Sequence, residues 1–85
     1  MNVEVRMFME FRKYLPSGAS EGKLVMTLEE GTTVGDLLNK LGVPLAEQKI
    51  LVINGVSHGA CGSAIHNQPL KDGDVVALFP PVGGG

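Results

Sequence analysis

The sequence predicts a single α+β domain, in which a mixed sheet of four to five strands forms a roll packed on one main helix. Three observations predict this fold. Two segments near the start alternate apolar and polar residues with the period of half-buried strands, and one central segment has the apolar stripe of a short helix. The final strand-like segment is apolar on both faces, which is typical of a central strand. With 85 residues there is room for one core, so the helix is expected to cover one face of the sheet.

The first two strands are expected to pair as a hairpin. Residues 3–8 alternate between apolar and polar positions, with Phe8 on the nominally polar side. Residues 12–22 contain proline, serine and glycine and are interpreted as a loop. Residues 24–28 then alternate again, which completes the hairpin.

A short helix is predicted between Thr33 and Gly42. Thr33 can cap the first turn, and Asp36 three residues later completes an approximate capping box. Four apolar residues share one helix face: Val34, Leu37, Leu38 and Leu41. Gly42 suits the left-handed conformation that ends a helix, and Pro44 prevents its continuation. Gly35 in the first turn costs up to about 1 kcal/mol relative to alanine, so packing must stabilise this helix.

The second half of the chain predicts the remaining strands. Residues 49–53 form a nearly continuous apolar run, headed by Lys49, that ends at Asn54-Gly55, a pair typical of a tight hairpin turn. Residues 55–68 are polar and rich in glycine, which indicates a short edge strand and loops. Residues 71–74, with Lys71, Asp72 and Asp74, are interpreted as turn chemistry before the central strand. The predicted order is therefore strand, strand, helix, strand, short strand, strand.

The end of the sequence gives the strongest indication of function. The domain, residues 1–79, is followed by a predicted extended tail, residues 80–85, which ends in glycines. Its two prolines favour an extended conformation and lack the N–H needed for strand pairing, so the tail should project outwards. Glycine has no Cβ, so the following backbone can thread a channel that excludes side chains. The residues predicted to enter a partner's active site are Pro80, Pro81, Val82, Gly83 and Gly84.

The α-carboxylate of Gly85 is the predicted reacting group. At neutral pH it is an anion and a poor electrophile, so it needs activation, usually as an acyl-adenylate formed with ATP. The sequence has no phosphate-binding loop, and its terminal glycines precede no helix. The tail is therefore interpreted as a substrate for another protein's active site, and no catalytic residue, metal or cofactor of the chain's own is predicted.

Composition argues against several other classes of protein. A net charge of −2 and an aromatic content of 5% provide no basic surface for nucleic acid. No apolar run approaches the ~20 residues of a membrane span, and no signal sequence precedes the first strand, so a cytoplasmic location is expected. A single cysteine excludes an internal disulfide.

Three metal-binding residue types occur in the polar segment: His58, Cys61 and His66. Their spacing is loose, so the favoured interpretation is a solvent-exposed loop with incidental side chains rather than a metal site. Cys61 is interpreted as an inert thiol, with a sulfur-handling thiol as the alternative, because no neighbouring base would lower its pKa.

Several large apolar side chains have two interpretations. Met7, Met9 and Met26 are predicted to fill gaps in the core, because methionine adapts to irregular spaces, with a deformable docking surface as the alternative. Phe8 and Phe79 are candidates for a patch on which partners dock, and local packing is the alternative for Phe8.

Three blocks of the sequence together resemble the ubiquitin-like β-grasp sulfur carriers, in particular the small subunit of molybdopterin synthase and its relative in thiamin synthesis. The blocks are Thr33-Val34 with Leu37-Leu38, residues 69–77 around the last turn, and residues 79–85 at the end. The resemblance covers essentially the whole chain and implies a β-grasp (ubiquitin-like) roll. The Phe-Pro-Pro-Val stretch is more similar to the molybdopterin branch than to the thiamin branch.

This resemblance implies a carrier cycle. Gly85 would be adenylated by an ATP-dependent ubiquitin-activating-type enzyme and converted to a thiocarboxylate by a persulfide donor. It would then enter the large subunit of molybdopterin synthase, where its sulfur would pass to a pterin precursor of the molybdenum or tungsten cofactor. Gly84 matches the family's penultimate glycine. The chain would be a non-catalytic small subunit and a sulfur-carrying co-substrate.

Other functions stay open on the sequence alone. An activated Gly85 also suits a ubiquitin-like modifier that is joined to lysines of target proteins. A carrier for thiamin or another pathway would use the same chemistry. A plain interaction domain with an inert tail is a third class.

Overall fold

The described part of the chain contains the five strands and the one α-helix that the sequence predicts, together with two 3₁₀ helices. This computed structural model describes residues 1–16, 19, 21–45, 49–58 and 63–81. The strands are β1 (Asn2–Met7), β2 (Lys23–Thr27), β3 (Ile50–Ile53), β4 (Val56–Ser57) and β5 (Val75–Phe79). Helix α1 spans Val34–Leu41, and the two 3₁₀ helices span Met9–Tyr14 and Ser63–Asn67. Within the described ranges, no helix is long and apolar enough to cross a bilayer.

The sheet has the strand order β2-β1-β5-β3-β4, which places the last strand at its centre. β1 and β2 form the predicted antiparallel hairpin, and β4 is the predicted short edge strand beside β3. β5 runs parallel to β1, with Glu4 opposite Val75, and antiparallel to β3, with Ile50 opposite Phe79. The prediction of a mixed sheet with a central final strand is therefore confirmed.

One face of the sheet packs against α1 and the first 3₁₀ helix to form the core. Its buried apolar residues are Val3, Val5, Met7, Phe11, Leu28, Val34, Leu37, Leu38, Val43, Leu51, Ile53, Leu70, Val76 and Leu78. The alternation predicted for β1 is confirmed, because its three apolar residues all face this core. The apolar residues of β5 lie on both faces of the sheet. Val76 and Leu78 point to the helix side, and the alternate residues Val75, Ala77 and Phe79 lie on the opposite face.

The ends of α1 are those that the sequence predicts. The hydroxyl of Thr33 accepts a hydrogen bond from the N–H of Asp36 at 3.2 Å, and the N–H of Thr33 donates to the Asp36 carboxylate at 3.1 Å. Gly42 ends the helix with φ +81°. Gly35 also has a packing role, because a Cβ there would lie 3.0 Å from the carbonyl oxygen of His66. The glycine that weakens the helix thus lets the second 3₁₀ helix approach it.

The turn before β5 uses its polar side chains structurally, as predicted. The Asp72 carboxylate accepts a hydrogen bond from the N–H of Asn2 at 2.7 Å. Asp74 accepts one from the N–H of Lys71 at 2.8 Å and one from the amide of Asn54 at 2.9 Å. These bonds tie the start of the central strand to β1 and to the β3–β4 turn.

The connection between β1 and β2 differs from the predicted loop. It begins with the first 3₁₀ helix, which buries Phe11 at 1% exposure. Met7 is buried and Met26 packs against the core, as predicted, but the prediction for Met9 is wrong because its side chain is 75% exposed. Met9 has φ +55°, so the chain turns sharply out of β1 there and directs this side chain outwards.

Gly22, just before β2, is a position where any side chain should destabilise the fold. It has φ +76°, and a Cβ there would lie 2.8 Å from the carbonyl oxygen of Met7. We expect Gly22→Ala to lower the free energy of unfolding by roughly 2–4 kcal/mol, because the left-handed backbone and the steric clash both cost energy.

Gly31→Ala is the matched control for that substitution. Gly31 has φ +89°, and a Cβ there would have no neighbour within 4 Å, so only the backbone cost of about 1–2 kcal/mol should remain. Urea denaturation of both variants measures the difference. Equal losses of stability would show that the contact with Met7 does not matter.

Candidate functional site

The predicted tail leaves the sheet from the end of its central strand. β5 ends at Phe79, and strands β1 and β3 flank it on both sides. Pro80 is half-buried and Pro81 is exposed, so the chain passes from the sheet edge to the surface at these two residues. The other predicted tail residues, Val82, Gly83, Gly84 and Gly85, lie outside the described residues. The structure thus describes the base of the predicted tail.

Two aromatic rings stack at this base. The rings of Phe8 and Phe79 lie with centroids 4.2 Å apart and an angle of 4° between their planes. The N–H of Phe8 donates to the carbonyl of Leu78 at 3.1 Å, which continues the β1–β5 pairing by one residue. Phe8 nevertheless stays 37% exposed. Phe8 therefore packs locally on Phe79, and because part of its ring is exposed, its role in docking stays a prediction. We call these two residues the aromatic pair.

The aromatic pair borders the sheet face opposite α1, which we call the outer face. The strand register places these residues on the outer face: Asn2, Glu4, Arg6, Lys23, Val25, Thr27, Ile50, Val52, Val75, Ala77 and Phe79. Val25 at one edge is 63% exposed. A salt bridge between Arg6 and Glu4 runs along β1 on this face. The outer face thus combines apolar side chains on β5 and β3 with charged ones on β1 and β2, a composition that suits protein contacts.

A pocket of about 340 Å³ opens beside the aromatic pair. Its lining residues are Arg6, Met7, Phe8, Met9, Arg12, Glu21, Gly22 and Lys23. They come from β1, the first 3₁₀ helix and the start of β2, so no contiguous motif marks the pocket in the sequence. The hairpin register is the one available indication, because it places Arg6 opposite Lys23.

His66, one of the three metal-binding residue types in the polar segment, packs against α1. His66 lies in the second 3₁₀ helix, is half-buried, and packs against Gly35, so the prediction of an exposed loop is wrong for this residue. Its Nε2 is shielded from solvent and has no hydrogen-bond partner among the described residues. Burial and the positive charge of Lys49 lower the pKa of His66 below 6.5.

Lys49 is a buried charged residue whose burial the sequence pattern does not indicate. Its side chain is fully buried, and Nζ donates a hydrogen bond to the carbonyl of Leu45 at 3.0 Å. The sequence placed it at the head of an apolar run, and no local pattern distinguishes a buried lysine from an exposed one. Among the described residues, no three His, Cys, Asp or Glu side chains converge as a metal site. Cys61 lies outside those residues.

The lowered pKa of His66 gives an expected pH dependence. Between the folded pKa and the unfolded value near 6.5, the unfolded chain binds more protons than the native protein. Stability should therefore rise with pH through this window and fall on acidification below about pH 6.5. His66→Gln removes the titrating group, so its thermal melting should vary less over that range. An unchanged pH dependence in the variant would contradict this assignment.

Known proteins share this sequence pattern and this geometry. A family model described as Mut7-C ubiquitin matches residues 1–83. A putative molybdopterin converting factor, subunit 1, from Pyrococcus furiosus is 26% identical with a TM-score of 0.67, over 95% of this chain and 98% of that chain. In a complex of subunits 1 and 2 of molybdopterin-converting factor from Helicobacter pylori, the matching chain is 28% identical with a TM-score of 0.58, over the full length of both chains.

A further solved structure is similar in fold alone. Small archaeal modifier protein 1 from Haloferax volcanii is 22% identical with a TM-score of 0.67, over 95% of this chain and 98% of that chain. No curated protein matches the sequence. These similarities confirm the predicted α+β roll as the β-grasp fold of ubiquitin-like proteins.

Proposed function

Because the chain belongs to the Mut7-C ubiquitin family, a family of ubiquitin-like domains, we propose that it is a sulfur carrier that works through Gly85. The observation that supports this proposal is the position of the tail's base, at the end of the central strand. The central strand ends at Phe79, a member of the partly exposed aromatic pair, and the sequence then continues with two prolines, a valine and three glycines. A partner that binds the outer face and the aromatic pair would hold the domain while the tail reaches its active site.

The proposed chemistry takes place in partner enzymes. An oxygen of the Gly85 carboxylate attacks the α-phosphorus of ATP, and pyrophosphate leaves. The terminal sulfur of a persulfide donor then displaces AMP from the acyl-adenylate, and a thiol cleaves the resulting S–S bond. The products are a thiocarboxylate on Gly85 and a disulfide formed by the two thiol sulfurs. The carrier supplies the reacting carboxylate and the docking surface, so it acts as a co-substrate and not as a catalyst.

The proposed destination of the sulfur is a pterin precursor of the molybdenum or tungsten cofactor. The matching Helicobacter pylori chain comes from a complex of subunits 1 and 2 of molybdopterin-converting factor, which supports a large synthase subunit as the second partner here. The first partner is an ATP-dependent ubiquitin-activating-type enzyme, and a persulfide protein donates sulfur to it. This cycle would operate in the cytoplasm and needs neither nucleic acid nor a membrane.

Mass spectrometry of the intact protein tests the proposal. The Cys61→Ser variant is incubated with a candidate activating enzyme, a persulfide donor, a thiol and ATP, so that the thiocarboxylate is the one sulfur that iodoacetamide can alkylate readily. We expect the mass change of one oxygen replaced by sulfur, followed by one alkylation, and neither change without ATP. An unchanged mass with partners that modify their own carrier would contradict the proposal. So would a native chain that continues beyond Gly85.

The same samples separate the carrier from a protein modifier. A modifier would use the same adenylate but would leave remnants of the tail on lysines of other proteins, consisting of residues 72–85 after trypsin cleaves at Lys71. Remnants without a thiocarboxylate would contradict the carrier function and support the modifier function. A thiocarboxylate without remnants would support the carrier alone.

Phe79→Ala is expected to weaken binding of the carrier to its partner by at least about tenfold. Large aromatic residues at the centre of an interface commonly contribute more than 1 kcal/mol to binding. Calorimetric titration with the activating enzyme or the large subunit measures the affinity. Val56→Ala is the control, because Val56 is 60% exposed and pairs with the core-facing Ile53, so it does not lie on the outer face. Equal affinities of the two variants would exclude the aromatic pair from the interface.

A further inference from the structure

The pocket beside the aromatic pair has structural features typical of a binding site, and the proposed carrier chemistry does not use them. Met9 and Glu21, two of its lining residues, have φ +55°, which is uncommon for residues with a side chain. The third such residue among those described, Asn54, lies in the β3–β4 turn. Strained backbone of this kind concentrates at functional sites, because the surrounding structure must hold it in place.

The backbone also positions one cationic side chain at this pocket. A Cβ on Gly22 would lie 3.1 Å from Nε of Arg12 and 3.4 Å from its Nη2. The guanidinium of Arg12 therefore lies against the start of β2, in space that a glycine leaves open. The first 3₁₀ helix carries Arg12 to this position, and its buried Phe11 anchors that helix in the core.

The charges around the pocket are not balanced. Arg6 forms a salt bridge with Glu4, but Arg12 and Lys23 have no hydrogen-bond or ion-pair partner for their side chains within the described part of the chain. Among the described lining residues, Glu21 is the one carboxylate. The whole chain carries a net charge of −2, so this local cationic excess runs against its overall charge.

We propose that this pocket binds an aspartate or glutamate side chain of a partner protein, with an apolar residue next to it. A carboxylate between Arg12 and Lys23 would receive charge-assisted hydrogen bonds. The apolar neighbour would pack on Phe8 and Met9, since an exposed methionine adapts to the shape of a partner. Glu21 repels ligands with several negative charges, which disfavours phosphate groups and favours a single carboxylate.

The position of the pocket relates it to the carrier surface. Phe8 belongs both to the pocket lining and to the aromatic pair. A partner that covers the pair therefore has its own residues beside the pocket. The identity of that partner as a tail-processing enzyme rests on the proposed function, whereas recognition of an acidic segment does not.

A peptide titration tests the proposal on the full chain. The probe is the peptide Leu-Glu-Leu with both ends blocked, added to isotope-labelled protein and followed by NMR. We expect saturable shifts of the backbone amides of residues 7–12 and 22–23, weaker at high salt because the contact is ionic. The neutral peptide Leu-Gln-Leu should bind at least about tenfold more weakly, since it cannot form the charge-assisted contacts. Absent shifts, or equal shifts with the two peptides, would overturn the proposal.

Two double variants with the same net charge provide the control. Arg12→Gln with Lys23→Gln removes the two cations of the pocket and should abolish binding of Leu-Glu-Leu. Lys40→Gln with Lys71→Gln removes two exposed cations elsewhere and should leave binding unchanged. Equal weakening in both double variants would assign the effect to overall charge and overturn the proposal, as would inorganic phosphate that binds the pocket as tightly as the peptide.

This experiment is independent of sulfur transfer. A chain that never forms a thiocarboxylate can still bind the acidic peptide at the pocket, and a chain that does form one can fail to bind it. Failure of the pocket proposal and failure of the proposed function are therefore distinguishable.

Discussion

A single alanine added after Gly85 is expected to abolish thiocarboxylate formation and leave the domain folded. The extension moves the carboxylate by one residue, about 3.5 Å, and adds a Cβ where the partner's channel is proposed to accept only glycine. Misplacement of a reacting group by about 1 Å already costs about a hundredfold in rate, so the loss should exceed that factor. Intact-mass spectrometry under the conditions given above measures the product.

The controls separate loss of chemistry from loss of structure. The same alanine added before Met1 leaves the tail unchanged and should leave thiocarboxylate formation unchanged. Deletion of Gly84 and Gly85 should abolish the product as completely as the extension does. Thermal melting of all three variants should match the parent, since the described sheet ends at Phe79. Full sulfur transfer by the extended or the shortened chain would show that Gly85 is not the carrier group.

Leu78→Ala is expected to cause the largest loss of stability among single substitutions in the central strand. Leu78 is fully buried, and the register places it beside Met7 on β1 and Leu51 on β3. Loss of its side chain leaves a cavity in the core, for which roughly 2–5 kcal/mol is typical. A domain of this size has a total stability of about 4–13 kcal/mol, so this loss is a large fraction of it. The variant should therefore unfold at a clearly lower urea concentration than the parent.

Urea denaturation followed by circular dichroism tests this expectation. Val25→Ala is the control, because its side chain is 63% exposed and its removal should change stability by less than about 0.5 kcal/mol. A loss below about 1 kcal/mol for Leu78→Ala would contradict the described core. Phe79, the next residue along the strand, faces the other way, so Phe79→Ala should mainly affect partner binding. The two neighbouring substitutions thus distinguish the functions of the two faces of β5.

The sequence predicts those parts of the fold that adjacent residues determine. The capping box of Thr33 and Asp36, the helix end at Gly42 and the Asn54-Gly55 turn each involve residues a few positions apart, and all three are present. The burial of Phe11 was not predicted, because a six-residue 3₁₀ helix is too short to show a periodic apolar pattern. The exposure of Met9 was also missed, since it depends on a left-handed backbone that its residue type does not indicate.

The candidate site divides in the same way. The tail was predicted because its chemistry belongs to consecutive residues, while the pocket depends on how three separated segments meet. The position of Arg12 depends on a glycine ten residues away, and the burial of Lys49 depends on the packing of the whole domain. Contacts of this kind have no signature in a short sequence window.

The central position of β5 also has a consequence for the synthesis of the protein. The first strand of the chain pairs directly with the last one, so the ribosome has made nearly the whole domain before the strand that joins β1 to β3 exists. Both the aromatic pair and the inner core depend on that strand. An enzyme that recognises the assembled outer face therefore meets only chains whose translation has passed β5, and nascent fragments present no such surface to it.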